Sequence, residues 1–129
     1  MMQLLRMAVR SIGGVIGAYL IIGLIMVVVV ELALGGATFR ESTLTVLAAA
    51  GLSSVIAAVL AGYIGSWIAG RAPRWHALAM IAIIAFDTAW IIVRGIGSDP
   101  VWFTIASGSA LCAGLAVGAE LRARRMVSL

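Results

Sequence analysis

The composition of this 129-residue chain excludes an ordinary soluble globular protein, because 64% of its residues are hydrophobic and only 11% are charged, whereas soluble domains carry about 25% charged residues. Its length suffices for one domain, and its mean hydropathy of +1.18 indicates a membrane protein. The formal net charge of +4 comes from nine arginines without any lysine. These arginines lie at the ends of apolar segments, which predicts contact with the lipid bilayer surface and no binding of nucleic acid.

The first apolar segment predicts a transmembrane helix over residues 11–34. Its charge-free run, residues 11–30, is longer than the roughly 7–15 apolar residues of a signal-peptide core, and no clear small-residue cleavage site follows it. We therefore expect a retained helix that carries one acid, Glu31, and ends at Gly35 and Gly36.

The second segment, residues 44–70, contains no charge, and we expect it to be the packing centre of a bundle. Ser42 or Thr43 can cap its start. Small residues recur there at every fourth position, which places them on one face of a helix. Helices in a bilayer associate largely by close packing, which small side chains permit. The expected helix-packing residues are Ser54, Ala58, Gly62, Ser66 and Gly70, with Gly114 and Gly118 in the last segment.

Two further helices complete the predicted fold. Gly70 can stop the second helix and Pro73 can begin the next, which the apolar run predicts over residues 75–93. Asp99-Pro100 reads as a cap followed by a proline at the first helical position, before a helix over residues 101–120. The sequence thus predicts a single domain over residues 1–129, an all-α, four-helix integral membrane bundle.

The arginine distribution predicts the orientation. Seven arginines lie on one side of the predicted bundle, and only Arg40 and Arg94 lie on the other. Because basic residues favour the cytoplasmic side, we expect both termini to be cytoplasmic. The charge alternation also permits an internal two-helix duplication, although any four-helix protein with both ends inside shows it. We expect lipid headgroups to bind at Arg71, Arg74, Arg122, Arg124 and Arg125.

Asp87 is the most informative single residue. The predicted third helix places it within the hydrocarbon, where acidic side chains usually have partners. Glu31 is expected at a similar depth and Arg94 on the same helical face, which predicts an intramembrane polar cluster of Glu31, Asp87 and Arg94. We interpret this cluster as structural, holding the helices in register; the alternative is a proton- or cation-handling site.

A short pattern between the second and third helices carries a resemblance. Residues 62–71 begin Gly-Tyr and end Ile-Ala-Gly-Arg, and His76-Ala77 follow. This pattern resembles a group of small, largely uncharacterised bacterial four-helix membrane proteins. The resemblance implies a multi-pass protein of the bacterial cell inner membrane and implies no activity.

Two functions follow from these observations. The sequence shows no catalytic constellation, no metal-ligand spacing and no phosphate-binding glycine loop, so we expect no enzyme, no cofactor and no metal ion. The favoured function is a non-enzymatic membrane subunit or accessory protein that packs against another membrane protein, or a second copy of itself, through small-residue helix faces. The alternative is a minimal oligomeric transporter or channel that uses Asp87 and Glu31.

Overall fold

The computed structural model describes residues 1–36, 42–70, 72–96 and 99–128. Within these ranges every element is helical: α1 spans Met2–Met26, α2 Leu44–Ala69, α3 Pro73–Arg94 and α4 Val101–Val127. A π-helical stretch, Val27–Ala33, continues α1 and is called the π segment below. The predicted all-α chain of four helices is confirmed. Four spans, the first running from α1 through the π segment, are each long and apolar enough to cross a membrane.

Local sequence explains several helix ends. Thr43 is the N-cap of α2, and its hydroxyl accepts a hydrogen bond from the backbone N–H of Val46 at 3.4 Å. Gly70 ends α2 in the left-handed conformation, with a φ of 75° that glycine adopts without steric cost. Pro73 lies in the first turn of α3, where its missing N–H leaves no helical bond unmade.

Two helices are longer than the hydrophobic pattern predicted. α1 begins at Met2, not at residue 11, and α4 continues to Val127, beyond residue 120. In both places the additional residues are mostly good helix formers such as Leu, Met, Ala and Arg, without glycine or proline to interrupt them. Hydropathy marks the apolar span, whereas backbone propensity extends the helix beyond it.

α4 begins at Val101, the predicted first residue, but its N-cap lies one position later than predicted. Pro100 is the N-cap and not the first helical residue, and no side chain, including that of Asp99, caps the helix. The extended ψ of Pro100, 143°, aims its carbonyl oxygen along the helix. That oxygen accepts hydrogen bonds from the N–H groups of Phe103 and Thr104.

The π segment is an irregularity that the hydrophobic pattern does not reveal. It begins with four consecutive valines, whose branched side chains crowd the preceding helical turn. The N–H of Leu34 donates to the carbonyl of Val29, five residues earlier, and Gly36 donates to Val30. Gly35 and Gly36 then leave the helix with positive φ values of 64° and 72°.

α2 is the central helix of the bundle. It contacts α1 and α4 extensively and α3 to a smaller extent, whereas α3 packs mainly against α4. Within the described ranges the backbones of α1 and α4 do not approach each other, although side chains from both helices, such as Ala18 and Leu115, belong to the same core cluster. The core is made largely of small residues, and the largest fully buried side chains are Met80, Leu115 and Ser66.

The bundle is packed at one end and open at the other. Buried residues begin at Ala57 in α2 and end at Ile84 in α3, whereas the π segment has none. We call the end with the chain termini and Gly70 the closed half. The open half comprises Val27–Ala33 and residues 44–56, 85–94 and 101–107; no residue that the structure describes there is buried.

Candidate functional site

The predicted packing residues of α2 and α4 lie where these two helices cross. A Cβ atom on Gly62 would collide with the backbone oxygen of Leu115 and lie 2.9 Å from its Cα atom. Gly118 approaches the backbone of Val59 in the same way, and a Cβ atom on Gly114 would lie 2.7 Å from the Cβ atom of Ala58. The two backbones therefore touch, which only residues with no or minimal side chains allow.

A second close crossing joins α1 to α2. A Cβ atom on Gly65 would lie 2.9 Å from both the Cβ atom of Ala18 and the backbone oxygen of Gly14. A Cβ atom on Gly14 would lie 2.6 Å from the backbone oxygen of Gly65 and 3.2 Å from Ala69. Gly65 and Ala69, which lie four residues apart on α2, thus face α1.

The remaining predicted packing residues have different roles. Ser66 is 1% exposed, and its hydroxyl donates to the carbonyl oxygen of Pro73 at 3.5 Å. Ser54 is half-buried and donates to the carbonyl oxygen of Ala50 at 2.8 Å, with the Sδ atom of Met26 at 3.1 Å. Gly70 serves to end α2 and is not buried. Most of the small-residue surface therefore serves contacts inside this chain.

Asp87 lies outside the core, one turn beyond Ile84 on α3. Its side chain is exposed, and within the described ranges it makes no hydrogen bond and no ion pair. The phenol of Tyr19 on α1 is close enough to interact electrostatically with the Asp87 carboxylate. Inserting an Asp at the centre of a membrane helix costs about 2.5–3.5 kcal/mol, and no cation described in this chain offsets that cost.

The structure does not assemble Glu31, Asp87 and Arg94 into the predicted polar cluster, because no ion pair joins any two of these three residues. Arg94 lies seven residues after Asp87, about 10 Å along the helix axis. The guanidinium of Arg94 stacks instead on Trp90, with Cζ 4.5 Å from the ring centroid. Glu31 is exposed on the π segment.

The predicted lipid-headgroup residues are partly neutralised by an acid. Glu120 on α4 accepts from Arg74 of α3 at 3.1 and 3.3 Å and from Arg124 at 3.2 Å. These ion pairs are exposed, so they add little stability, but they reduce the charge of the three side chains together to +1. Arg125 is exposed, Arg122 has a buried Nε atom without a described hydrogen-bond partner, and Arg71 lies outside the described residues.

His76 takes part in the turn between α2 and α3. Its Nδ1 atom lies 3.0 Å from the carbonyl oxygen of Ala72, which also accepts the backbone N–H of Trp75. No group of three or more His, Cys, Asp or Glu side chains positioned to hold a metal ion is found among the residues described. The imidazole therefore has a local hydrogen-bonding role that the sequence pattern did not indicate.

A lateral cleft occupies the open half between the end of α1, α2 and α4. It encloses about 660 Å³. Its walls are mostly apolar, including Met26, Leu47 and Phe103; the polar residues that line it are Ser54, Asp99 and Ser107. A surface of this composition suits an apolar helix face or a lipid chain better than a water-soluble ligand.

The sequence did not indicate the interactions of Tyr19 and Glu120. Tyr19 beside Asp87 and Glu120 beside Arg74 depend on helix packing between distant segments, which spacing does not reveal. The Glu120–Arg124 pair, four residues apart on one helix, was accessible from spacing alone. Thr88, which follows Asp87 in the sequence, packs against Gly108, where a Cβ atom would lie 2.6 Å from the Thr88 hydroxyl.

Comparisons of this chain with models of known protein families, with curated proteins and with solved structures return no match.

Proposed function

We propose that this chain is a non-enzymatic, multi-pass subunit or accessory protein of the bacterial cell inner membrane, with both termini cytoplasmic. It packs against another membrane protein or against a second copy of itself. The resemblance in residues 62–77 and the arginine distribution support the location and the orientation. The four apolar spans support a multi-pass protein.

The open half is the observation that carries the proposed packing role. None of the residues that the structure describes in the open half is buried, so the four helices have faces there that the described part of the chain does not cover. A partner helix can gain close packing on those faces, which is the main source of helix association in a bilayer.

Small-residue surface for docking remains on α4. Ala106, Ser109, Ala113 and Ala116 recur at helical spacing and are all exposed. Ser109, Ala113 and Ala116 form a smooth stripe on the side of α4 that turns away from Gly114 and Gly118, whereas Ala106 lines the lateral cleft. The small residues of α2 from Ala57 to Ala69 are, by contrast, largely buried inside the bundle.

Mass measurement of the protein extracted with its surrounding lipid tests this proposal. We expect a particle heavier than the 13.4 kDa single chain plus lipid. Ala113→Trp should release the single chain, because the indole would hold a docked backbone away. Leu78→Trp, at an exposed position of α3 outside both the open half and the stripe, is the control and should leave the particle intact. Detection of the single chain alone from native membranes would contradict the proposal.

Labelling of single cysteines tests the proposed orientation. In a Cys112→Ala background, Ile96→Cys and Ser128→Cys place thiols at opposite ends of the bundle, both at exposed positions. We expect an impermeant maleimide to react with the cysteine at position 96 in intact cells whose outer membrane is permeabilised. The cysteine at position 128 should react only after the inner membrane is lysed. The reverse pattern would place the termini outside.

The exposed position of Asp87 favours the second candidate function, a minimal oligomeric transporter or channel. A membrane-embedded carboxylate without a described ion-pair partner is available to bind a proton or a cation. Glu31 is likewise exposed on the π segment. Proton or cation flux in proteoliposomes that contain the purified protein alone distinguishes this function from the first.

A further inference from the structure

Asp87 lies in the seam between α1 and α3. It follows His76 by eleven residues and Met80 by seven, so the three side chains lie along one side of α3. His76 lines a groove with Val15 and Ile16 of α1, which shows that this side of α3 faces α1. Tyr19, next along α1, interacts electrostatically with Asp87. The carboxylate is nevertheless exposed, because α1 and α3 make only limited contact.

The seam leaves room for another helix. Beyond Tyr19, one turn further along α1, a Cβ atom on Gly23 would have nothing within 4 Å. On α3, the side chain of Asp87 is exposed and that of Trp90 is 45% exposed. A helix placed here would contact the backbone of α1 at Gly23 and the side chain of Asp87 together.

The chemistry of the missing neighbour follows from charge. An Asp that faces hydrocarbon is stabilised by a cation at the same depth, where the low dielectric strengthens their attraction. All nine arginines of this chain lie at the ends of its apolar spans. A second copy in the same orientation would therefore bring another Asp87, and no cation, to this depth.

We propose that the seam between α1 and α3 binds a transmembrane helix of a different membrane protein, which carries one lysine or arginine at the depth of Asp87. This inference rests on the proposed packing function and names the surface and the chemistry of the partner. Asp87 supplies the specificity of the contact, and Gly23 permits the close approach.

The probe is a synthetic Leu/Ala helix of about 23 residues with one lysine about 10 Å from one end. A matched peptide carries leucine at that position. The full-length protein, labelled at Ile96→Cys in the Cys112→Ala background, is reconstituted in phosphatidylcholine vesicles with an acceptor-labelled peptide, and energy transfer reports association.

We expect the lysine peptide to bind at least about tenfold more tightly than the leucine peptide. Asp87→Asn should reduce this preference to less than about twofold, because the amide carries no charge. Asp99→Asn removes the same charge from the start of α4, outside the seam, and should leave the preference unchanged. Circular dichroism and detergent unfolding establish that both variants remain folded.

Equal binding of the two peptides to the wild type, or a preference that survives Asp87→Asn, would overturn the inference. So would self-association of the labelled protein that Asp87→Asn abolishes and that displaces the lysine peptide, since a second copy would then be the occupant. Failure here is distinct from failure of the proposed function. A particle heavier than one chain, sensitive to Ala113→Trp, would still support packing when the peptides show no preference.

Discussion

Gly62→Leu should abolish the folded bundle. The structure places the backbone of Leu115 where the first carbon of any side chain at position 62 would have to lie. A leucine there would force α2 and α4 apart along their contact, and this contact holds much of the core. α1 and α4 both pack extensively against α2, so the substitution would also disturb packing away from position 62.

A graded series makes the expected effect measurable. Gly62→Ala adds one methyl group and should reduce the free energy of unfolding by about 1–3 kcal/mol, the usual cost of overpacking. Gly23 is the matched control, because it is also a helical glycine but has open space around its Cβ position. Unfolding in a detergent titration, followed by circular dichroism, should show little change for Gly23→Ala and Gly23→Leu. Equal tolerance at positions 62 and 23 would contradict the observed crossing.

Asp87→Leu should stabilise the isolated chain in the membrane. On insertion scales the change from Asp to Leu at a helix centre is worth about 3–4 kcal/mol in favour of the bilayer. The structure describes no ion pair or hydrogen bond that this substitution would break. We expect a larger inserted fraction of α3 in a translocon insertion assay, and a bundle at least as resistant to detergent. Ala85→Leu is the control, because Ala85 is also exposed on α3 but is already apolar; this substitution should change both readouts much less.

The same position separates the two candidate functions. In proteoliposomes that contain this protein alone, we expect no proton or cation flux for the wild type or for Asp87→Asn. Flux that Asp87→Asn abolishes in a folded protein would establish the transporter or channel function and contradict the subunit function. Loss of bundle stability in Asp87→Leu would instead point to a structural partner for the carboxylate within the chain.

The sequence predicted well the features that are determined by residues close together in the chain. Hydropathy located the four spans, and turn chemistry located the caps at Thr43 and Gly70 and the proline that begins α3, Pro73. These features arise from backbone and solvent preferences that act within a few residues. The extended ends of α1 and α4 follow from helix propensity, which an apolar pattern does not record.

The contacts of Asp87, Arg94 and the small-residue surfaces depend on how the helices pack, so they were less predictable from the sequence. Arg94 lies on the same helical face as Asp87, but axial separation and the ring of Trp90 keep it away. Small-residue spacing correctly indicates a surface suited to close contact. It does not state whether that contact lies within the chain, as at Gly62, or outside it, as we propose for Ala113. Distinguishing contacts within the chain from contacts with a partner requires the position of every helix in the structure.

The central position of α2 has a consequence for how the protein is made. The surface of α2 that contacts Leu115 and Gly118 is covered by α4, which lies about fifty residues further along the chain. Synthesis proceeds from the N-terminus, so α1 and α2 can pair through Gly14, Ala18 and Gly65 while α4 is still unmade. During that interval the glycine surface of α2 is bare in the bilayer. If another small-residue helix bound to this surface first, it would compete with α4 for the same contact. The shorter the delay between the synthesis of α2 and that of α4, the smaller this competition would be.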